Sequence, residues 1–426
     1  MSGATRSTAE PERGGGPLPD AVDVLVVGAG LAGLNAARTV ARSGRSVLVC
    51  EASDGVGGRV RTDVVDGFLV DRGFQILNTS YPALRAAVDL DALDLHPFVP
   101  GAAVRTEDGV LHRVARRPTW LPRTALTRLI SLRGKLGIAG FTARSVLVPP
   151  QRQAAAPERS AAEDLARFGL RDGDVDRFLR PFLAGVLGDG ELATSSRVVS
   201  LFWRTFALGD LTLPGRGIGA MTTHLAARLP AGTVRLDTPV REVASGRVGT
   251  DAGTVRAGAV IVATEGTDAA GLLGGRVEAP RPFALTSHYH VTDRPPTRQG
   301  LLHLDGTGGP VVNTMVLTAA VPSYSPDHRH LVVSTVLGGE ALPEPRLRAE
   351  LERIWGTGTA HWEHLATREI PHALPATPPP TPPGLRRPVD LGDRLFVAGD
   401  HRDTPSVQGA LVSGRRTARA ALAALG

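Results

Sequence analysis

Gly28, Gly30 and Gly33 stand at the spacing G-x-G-x-x-G, and an acid, Glu51, followed by Ala52, comes about twenty residues later. These residue types can bind a dinucleotide. The first glycine permits a tight turn, the second lets a pyrophosphate approach the backbone, and the third lets a helix pack on a strand. Leu31 and Ala32 open that helix, and its N-terminal amides and dipole face the phosphates. The Glu51 carboxylate is placed to accept from both hydroxyls of an adenosine ribose, and its charge disfavours a 2′-phosphate, so NADP does not suit this site.

The elements that must position these residues are legible. Val22 to Val27 is short, β-branched and apolar apart from Asp23, and reads as a buried strand. Leu31 to Ser43 reads as the helix, closed by Gly44, and Ser46 to Cys50 as the second strand with Glu51 at its end.

Gly57-Gly58-Arg59-x-Arg61-Thr62 comes directly after the ribose acid. Near the other end, Leu395 to Ala398 reads as a strand, Gly399-Asp400 ends it, and Pro405 to Ala410 leads into a helix through Leu425. Together these segments resemble the flavin-containing amine oxidase and phytoene desaturase superfamily. The resemblance runs from Asp20 almost to the end, is specific at both ends and is diffuse between Leu84 and Asp210. In its middle it is most similar to a phytoene-desaturase-like branch from which no substrate carries over. It implies FAD as cofactor. FAD is longer than NAD along its phosphate–ribityl axis; a second glycine turn lets backbone reach it, and the arginines neutralise phosphate charge. The resemblance further implies that the segment Phe68 to Phe74, with Gly73, runs near the flavin, that Val240 contacts the adenine, and that Asp400 bonds a ribityl hydroxyl. Gln408, Gly409 and Ala410 would place a helix N-terminus against the pyrimidine end of the ring, where the dipole stabilises negative charge.

The expected fold class is α/β. A discontinuous Rossmann-like FAD-binding domain is expected from residues 20–80, 211–282 and 389–426, and a mixed α/β substrate domain from 81–210 and 283–388. Residues 1–19 are polar, rich in Gly, Pro and charge, and read as a disordered arm. A chain of 426 residues suits two such domains. The net charge is +6, but the basic residues come as pairs such as Arg116-Arg117 and Arg415-Arg416, with no long run. No nucleic-acid partner is expected. Cys50 is the only cysteine, so no intramolecular disulfide can form, which agrees with a reducing, cytoplasmic setting. No stretch of 18 apolar residues predicts a membrane span. Residues 118–149 are amphipathic and basic. They read as a helical face of the second domain, with a membrane-surface patch that admits a lipophilic substrate as the alternative. Pro371 to Pro388 is proline-rich and reads as an extended crossing outside any sheet.

Flavoenzymes of this plan pass a hydride from a substrate C–H bond to flavin N5, and the protein holds the substrate against the ring. The substrate is expected to be a small or lipophilic organic molecule, amine-like molecules included, and the reaction that of a dehydrogenase, desaturase or isomerase. The residues expected to cover the ring are His288, Tyr289, His290, Asn313 and Tyr324, with His288, His290 and Tyr324 as the catalytic candidates. His288 and His290 share a strand face. The only lysine, Lys135, matches no family motif, which speaks against ordinary amine oxidation. His361-x-x-His364 lies on a strand without further ligands, so no metal is expected. The alternative to an enzyme is an FAD-binding protein without turnover, acting as a structural partner. An NAD-dependent dehydrogenase is opposed by the second glycine pair and by the C-terminal motif.

Overall fold

The computed structural model describes residues 17–115 and 127–426. Most of the expected arm, and the start of the basic amphipathic segment, lie outside the described residues.

The first of two seven-stranded sheets is built around Ala21–Val27. It pairs in parallel with Val47–Cys50 on one side and Gly253–Val262 on the other. Leu395–Val397 adds in parallel to Gly253–Val262, while Val240–Ala244 and Arg247–Thr250 form an antiparallel flap. Both faces are covered. Val24, Val26 and Ile261 are buried on one side, and Leu25, Val260 and Val262 on the other. This is why these strands read as continuous apolar runs and not as alternating ones. In register, Val27 lies beside Cys50 and Val262, so the three strands end level. Gly28, Glu51 and Ala263 therefore emerge side by side at the carboxyl edge, where open α/β sheets bind ligands.

The helix Leu31–Ala41 and the C-terminal helix Val407–Leu425 lie against each other. A Cβ on Gly414 would fall 2.1 Å from the Ala32 carbonyl oxygen, so only glycine allows this approach. Asn35 Nδ2 donates to the Leu411 carbonyl at 2.7 Å across the same contact.

The second sheet runs in the order Glu363–Pro375, Pro282–Thr292, His330–Leu337, Val311–Val316, Leu302–Asp305, Gly101–Arg105, Leu111–Ala115. The helix Glu344–Trp355 covers one face with Leu347, Leu351 and Ile354. Helices Arg180–Leu187 and Ser196–Leu208 stand by the other face. A capping box, Ser160 with Glu163, opens the helix Ala161–Arg167 as its sequence predicts.

Three elements differ from what the sequence pattern suggests: one helix over Asp176 to Leu187, a helix after Gly217 carrying Ile218, Met221, Leu225 and Leu229 on one face, and an extended crossing over Pro371 to Pro388. Asp176 to Leu187 is not one α-helix; a π-turn, Val175–Leu179, precedes Arg180–Leu187. Pro181 contributes there, since it has no N–H to continue the ladder. The helix after Gly217 is short, Ala220–Ala226. The proline-rich stretch is not wholly outside the sheet either, because the strand runs on to Pro375. It is an edge strand, and an edge tolerates a residue that cannot donate to the ladder.

Within the amphipathic basic segment, Leu132–Leu147 is a helix capped by Ser131, whose Oγ accepts from Gly134 N at 2.9 Å. Leu132, Leu136 and Leu147 are exposed on it. No helix among the described residues is long and apolar enough to cross a membrane.

Candidate cofactor and substrate site

A cavity of ≈ 880 Å³ runs from the carboxyl edge of the first sheet to the second sheet. At one end, the Leu31–Ala41 helix begins at Gly30 with no side chain capping it and no acid in its first turn. A Cβ on Gly30 would meet nothing within 4 Å, and one on Gly58 would meet only Gly30 Cα, at 3.8 Å. The two glycines thus face each other across an open slot that any side chain would narrow. A phosphate group fits such a slot, with helix amides at its floor. Gly28, Leu31, Ala32 and Gly57 border it as well. Gly33 does not; a Cβ there would lie 1.9 Å from the Gly28 carbonyl oxygen, so its role is the strand–helix contact.

Glu51 and Ala52 border the cavity next, opposite Val240. Glu51 Oε2 accepts from Ala29 N at 2.6 Å, and Oε1 accepts from Ser53 N at 2.9 Å and Ser53 Oγ at 2.7 Å. The carboxylate is fixed by three donors and still has lone pairs for a ligand hydroxyl.

Arg59 and Asp400 meet beside the cavity at 2.8 Å. The other arm of Arg59 donates to the Ala373 carbonyl at 2.7 Å. Gly399, at φ 153°, is pressed against the buried ring of His401, which a Cβ would meet at 2.4 Å. Arg61 does not border the cavity; it turns to Asp54 at 2.9 Å.

Ser406 caps the C-terminal helix, its Oγ accepting from Gly409 N at 3.1 Å, and Val407 and Ala410 face the cavity. Gln408 points elsewhere, its Oε1 accepting from Ala83 N at 2.8 Å. Gly409 is also required for a different contact than the one expected: a Cβ there would lie 1.8 Å from the Thr404 carbonyl oxygen.

Gly73 borders the cavity in a turn anchored by Asp71, two residues before it, whose carbonyl accepts from Gly73 N at 2.8 Å. Asp71 Oδ1 accepts from Thr62 Oγ1 at 2.5 Å and Ile218 N at 3.0 Å, and Oδ2 accepts from Tyr324 Oη at 2.8 Å. Tyr289 Oη donates to the Asp71 carbonyl at 2.8 Å. Burial pushes the Asp71 carboxyl up to about 6, outweighing these donors, and burial beside Asp71 drives the Tyr324 phenol well above its ordinary value.

The far arm of the cavity is a chamber walled by Phe182, Val186, Phe202 and Phe206, with Leu285 and Leu374. Phe182 and Phe206 meet edge to face at 5.3 Å. Asn78, Ser287, Asn313 and Thr335 supply polar groups. The sequence pattern marks Phe182, Phe202 and Phe206 as core residues, because an aromatic stripe on a helix reads the same whether it packs a core or lines a chamber. Trp203 lies outside, donating to Thr142 Oγ1 at 2.9 Å.

The three catalytic candidates do not border this cavity. His288 and His290 do share a strand face, but it is the face toward the Glu344–Trp355 helix. His290 Nε2 lies 3.0 Å from Glu344 Oε1, and His288 Nδ1 lies 3.2 Å from Thr367 Oγ1. Burial lowers both imidazoles, His288 to about 4. The odd residues of the strand, Leu285 and Ser287, turn to the cavity. Tyr324 is buried behind the Asp71 turn. Period-2 alternation tells which residues share a face and not which face looks inward. His361 and His364 hold no common site, and no metal-ligating cluster occurs among the described residues.

A sheet with a parallel centre, carrying a glycine slot, the Glu51 carboxylate and an aromatic chamber on one cavity, defines an α/β protein of the amine-oxidase-like type. The chain matches the flavin containing amine oxidoreductase family over residues 31–422, and it belongs to that family, whose cofactor is FAD. It is 29% identical to putrescine oxidase of Kocuria rosea over 237 residues, covering 52% of this chain and 49% of that one. It is 30% identical to chloroplastic protoporphyrinogen oxidase 1 of Arabidopsis thaliana over 210 residues, covering 47% and 37%. The chain thus spans half or less of the curated relatives it matches. Among solved structures, an oxidoreductase from Methanosarcina mazei superposes with TM-score 0.74 at 17% identity, covering 93% of this chain and 100% of that one. Cyclohexylamine oxidase from Brevibacterium oxydans IH-35A superposes with TM-score 0.71 at 18% identity, covering 95% and 99%. These two share the fold.

Proposed function

We propose that this protein is an FAD-dependent oxidoreductase that removes a hydride from a C–H bond of a small, largely apolar organic substrate. One observation carries the reading: the glycine slot and the aromatic chamber are arms of one cavity. FAD bound there would supply the hydride acceptor. In this reading Gly28, Gly30, Gly57 and Gly58 hold the pyrophosphate with the amides of Leu31 and Ala32. Glu51 holds the ribose, Val240 packs on the adenine, and Asp400, paired with Arg59, meets the ribityl chain. Gly73, Val407 and Ala410 border the ring, and the phenylalanines exclude water from the reacting face. The binding half comprises residues 20–80, 211–282 and 389–426, and the substrate half the segments between them.

Lysine-assisted amine oxidation is not part of the proposal, since the only lysine, Lys135, donates to the Thr127 carbonyl at 2.8 Å and does not border the cavity. A cytoplasmic setting is supported by the lone, buried Cys50.

The test is anaerobic mixing of the yellow protein with candidate substrates while the flavin absorbance is followed. Bleaching by an apolar substrate supports turnover. A loaded protein that no substrate in a broad metabolite panel reduces would instead fit an FAD-binding partner without turnover.

A further inference from the structure

We propose that the chamber holds a built subsite for one neutral polar group, of the amide or hydroxyl class, carried on an otherwise apolar substrate. This rests on the chamber being the substrate end of the cavity.

Ser287, Thr335 and Asn313 are direct register partners on three adjacent strands: Ser287 lies opposite Thr335, and Thr335 opposite Asn313. Adjacent strands lie about 4.8 Å apart, so the three side chains form a polar row about 10 Å long. All three border the cavity. Regular alternation would put Asn313 on the face of Val311, which packs toward the Glu344–Trp355 helix. The register shifts between Val311 and Asn313, and this bulge re-aims Asn313 at the chamber. There its carboxamide closes on the Arg180–Leu187 helix at Gly185, where a Cβ would lie 2.3 Å from Asn313 Nδ2.

The row is buried and its bonding is incomplete. Asn313 is 5% exposed and Thr335 3%, yet Asn313 Oδ1 and Thr335 Oγ1 have no hydrogen-bond partner. A third such atom, Asn78 Nδ2, lies on another residue bordering the same cavity. Ser287 Oγ accepts from Phe74 N at 3.1 Å, which leaves its proton free to donate. Buried polar atoms are normally paired, so three orphans on one cavity call for a ligand that pairs them.

The row defines the ligand by what it offers. Asn313 Oδ1 accepts, the Thr335 hydroxyl does either, and the Ser287 hydroxyl has a proton to donate. A group that both donates and accepts, such as an amide, a lactam or a hydroxyl, satisfies this set. A hydrocarbon would leave the orphans unpaired. An ammonium or carboxylate would be desolvated without a counter-charge, because among the described residues every ionised side chain bordering the cavity comes from residues 51–72, 241–268 or 400, on the cofactor side.

The test uses the FAD-loaded protein and three probes of one shape: 4-phenylbutanamide, 4-phenylbutan-1-amine and 4-phenylbutanoate. Calorimetry should give the amide at least about tenfold the affinity of either ion, and Asn313→Leu with Thr335→Val should lose about tenfold for the amide alone. Thr335→Val by itself should keep or raise the melting temperature, since it deletes an unpaired hydroxyl. A tighter amine or carboxylate, equal binding of all three, an unchanged amide affinity in the double variant, or a lowered melting temperature for Thr335→Val each overturns the subsite. The flavin absorbance of the same samples reads the functional proposal separately. Preferential amide binding by a loaded protein that no substrate reduces keeps the subsite and sinks turnover.

Discussion

The Tyr324 hydroxyl donates to Asp71 Oδ2 at 2.8 Å, joining the loop after the Val311–Val316 strand to the hairpin that carries Gly73. The two residues are 253 positions apart. With Tyr289 on the Asp71 carbonyl, this contact fixes the turn beside the cavity from behind. Both tyrosines therefore hold the Asp71 turn in place.

Asp71 gives this contact a pH signature. Its folded-state value of about 6 lies above the ordinary 3.8, so its contribution to stability is complete below about pH 4 and is lost as pH rises to about 6. Asp71→Asn removes the titration. Relative to the parent, the variant should gain stability from about pH 4 to about pH 6, by at most about 3 kcal/mol. Urea melts at stepped pH measure the gap; a gap constant across that range would refute the assignment.

Glu51 separates two routes to losing FAD. Glu51→Gln keeps an acceptor for Ala29 N, whereas Glu51→Ala leaves that amide unpaired and removes the ribose acceptor. Titration of apo protein should show about tenfold to a hundredfold weaker FAD for the alanine variant and a smaller loss for glutamine. Equal affinity in all three proteins would show that Glu51 does not meet the ribose.

Asp400→Ala should weaken FAD by a similar factor, and it also strips Arg59 of its partner. Arg59→Met in the same background should cost less than it does alone, because the pair acts as a unit. Strict additivity of the two losses, measured as FAD dissociation constants, would mean that the 2.8 Å contact is not retained with cofactor present.

His288→Ala should leave FAD affinity and substrate turnover near parent values while lowering the melting temperature, since His288 is buried on the face away from the cavity. A large fall in kcat with an unchanged melting temperature would return the histidines to the active site.

The strand–helix–strand unit that opens the first sheet was legible because its signals are local. The first glycine turn, its helix and the strand ending at Glu51 all lie within residues 21–51, and the second glycine pair follows at Gly57 and Gly58, so turn, period and charge can be read in one pass. The capping box at Ser160 was legible for the same reason. The chamber was not. Which face of the Pro282–Thr292 strand looks inward depends on what packs behind it, and the Asn313 bulge depends on the partner strand. Gly409 carried a correct family motif with a different physical role, because glycine records a close approach without recording what is approached.

Arg59 is held by Ala373 and Asp400, which follow it by 314 and 341 residues. As a ribosome extends the chain, the first glycine turn emerges early, but the arginine's two hydrogen-bond acceptors come late: Ala373 on the Glu363–Pro375 strand, then Asp400 after the last strand. Cofactor capture is therefore expected to be a late event in biogenesis, since contacts of such long range form slowly. A truncation that removes only the C-terminal segment should leave a nascent slot that never closes around its nucleotide.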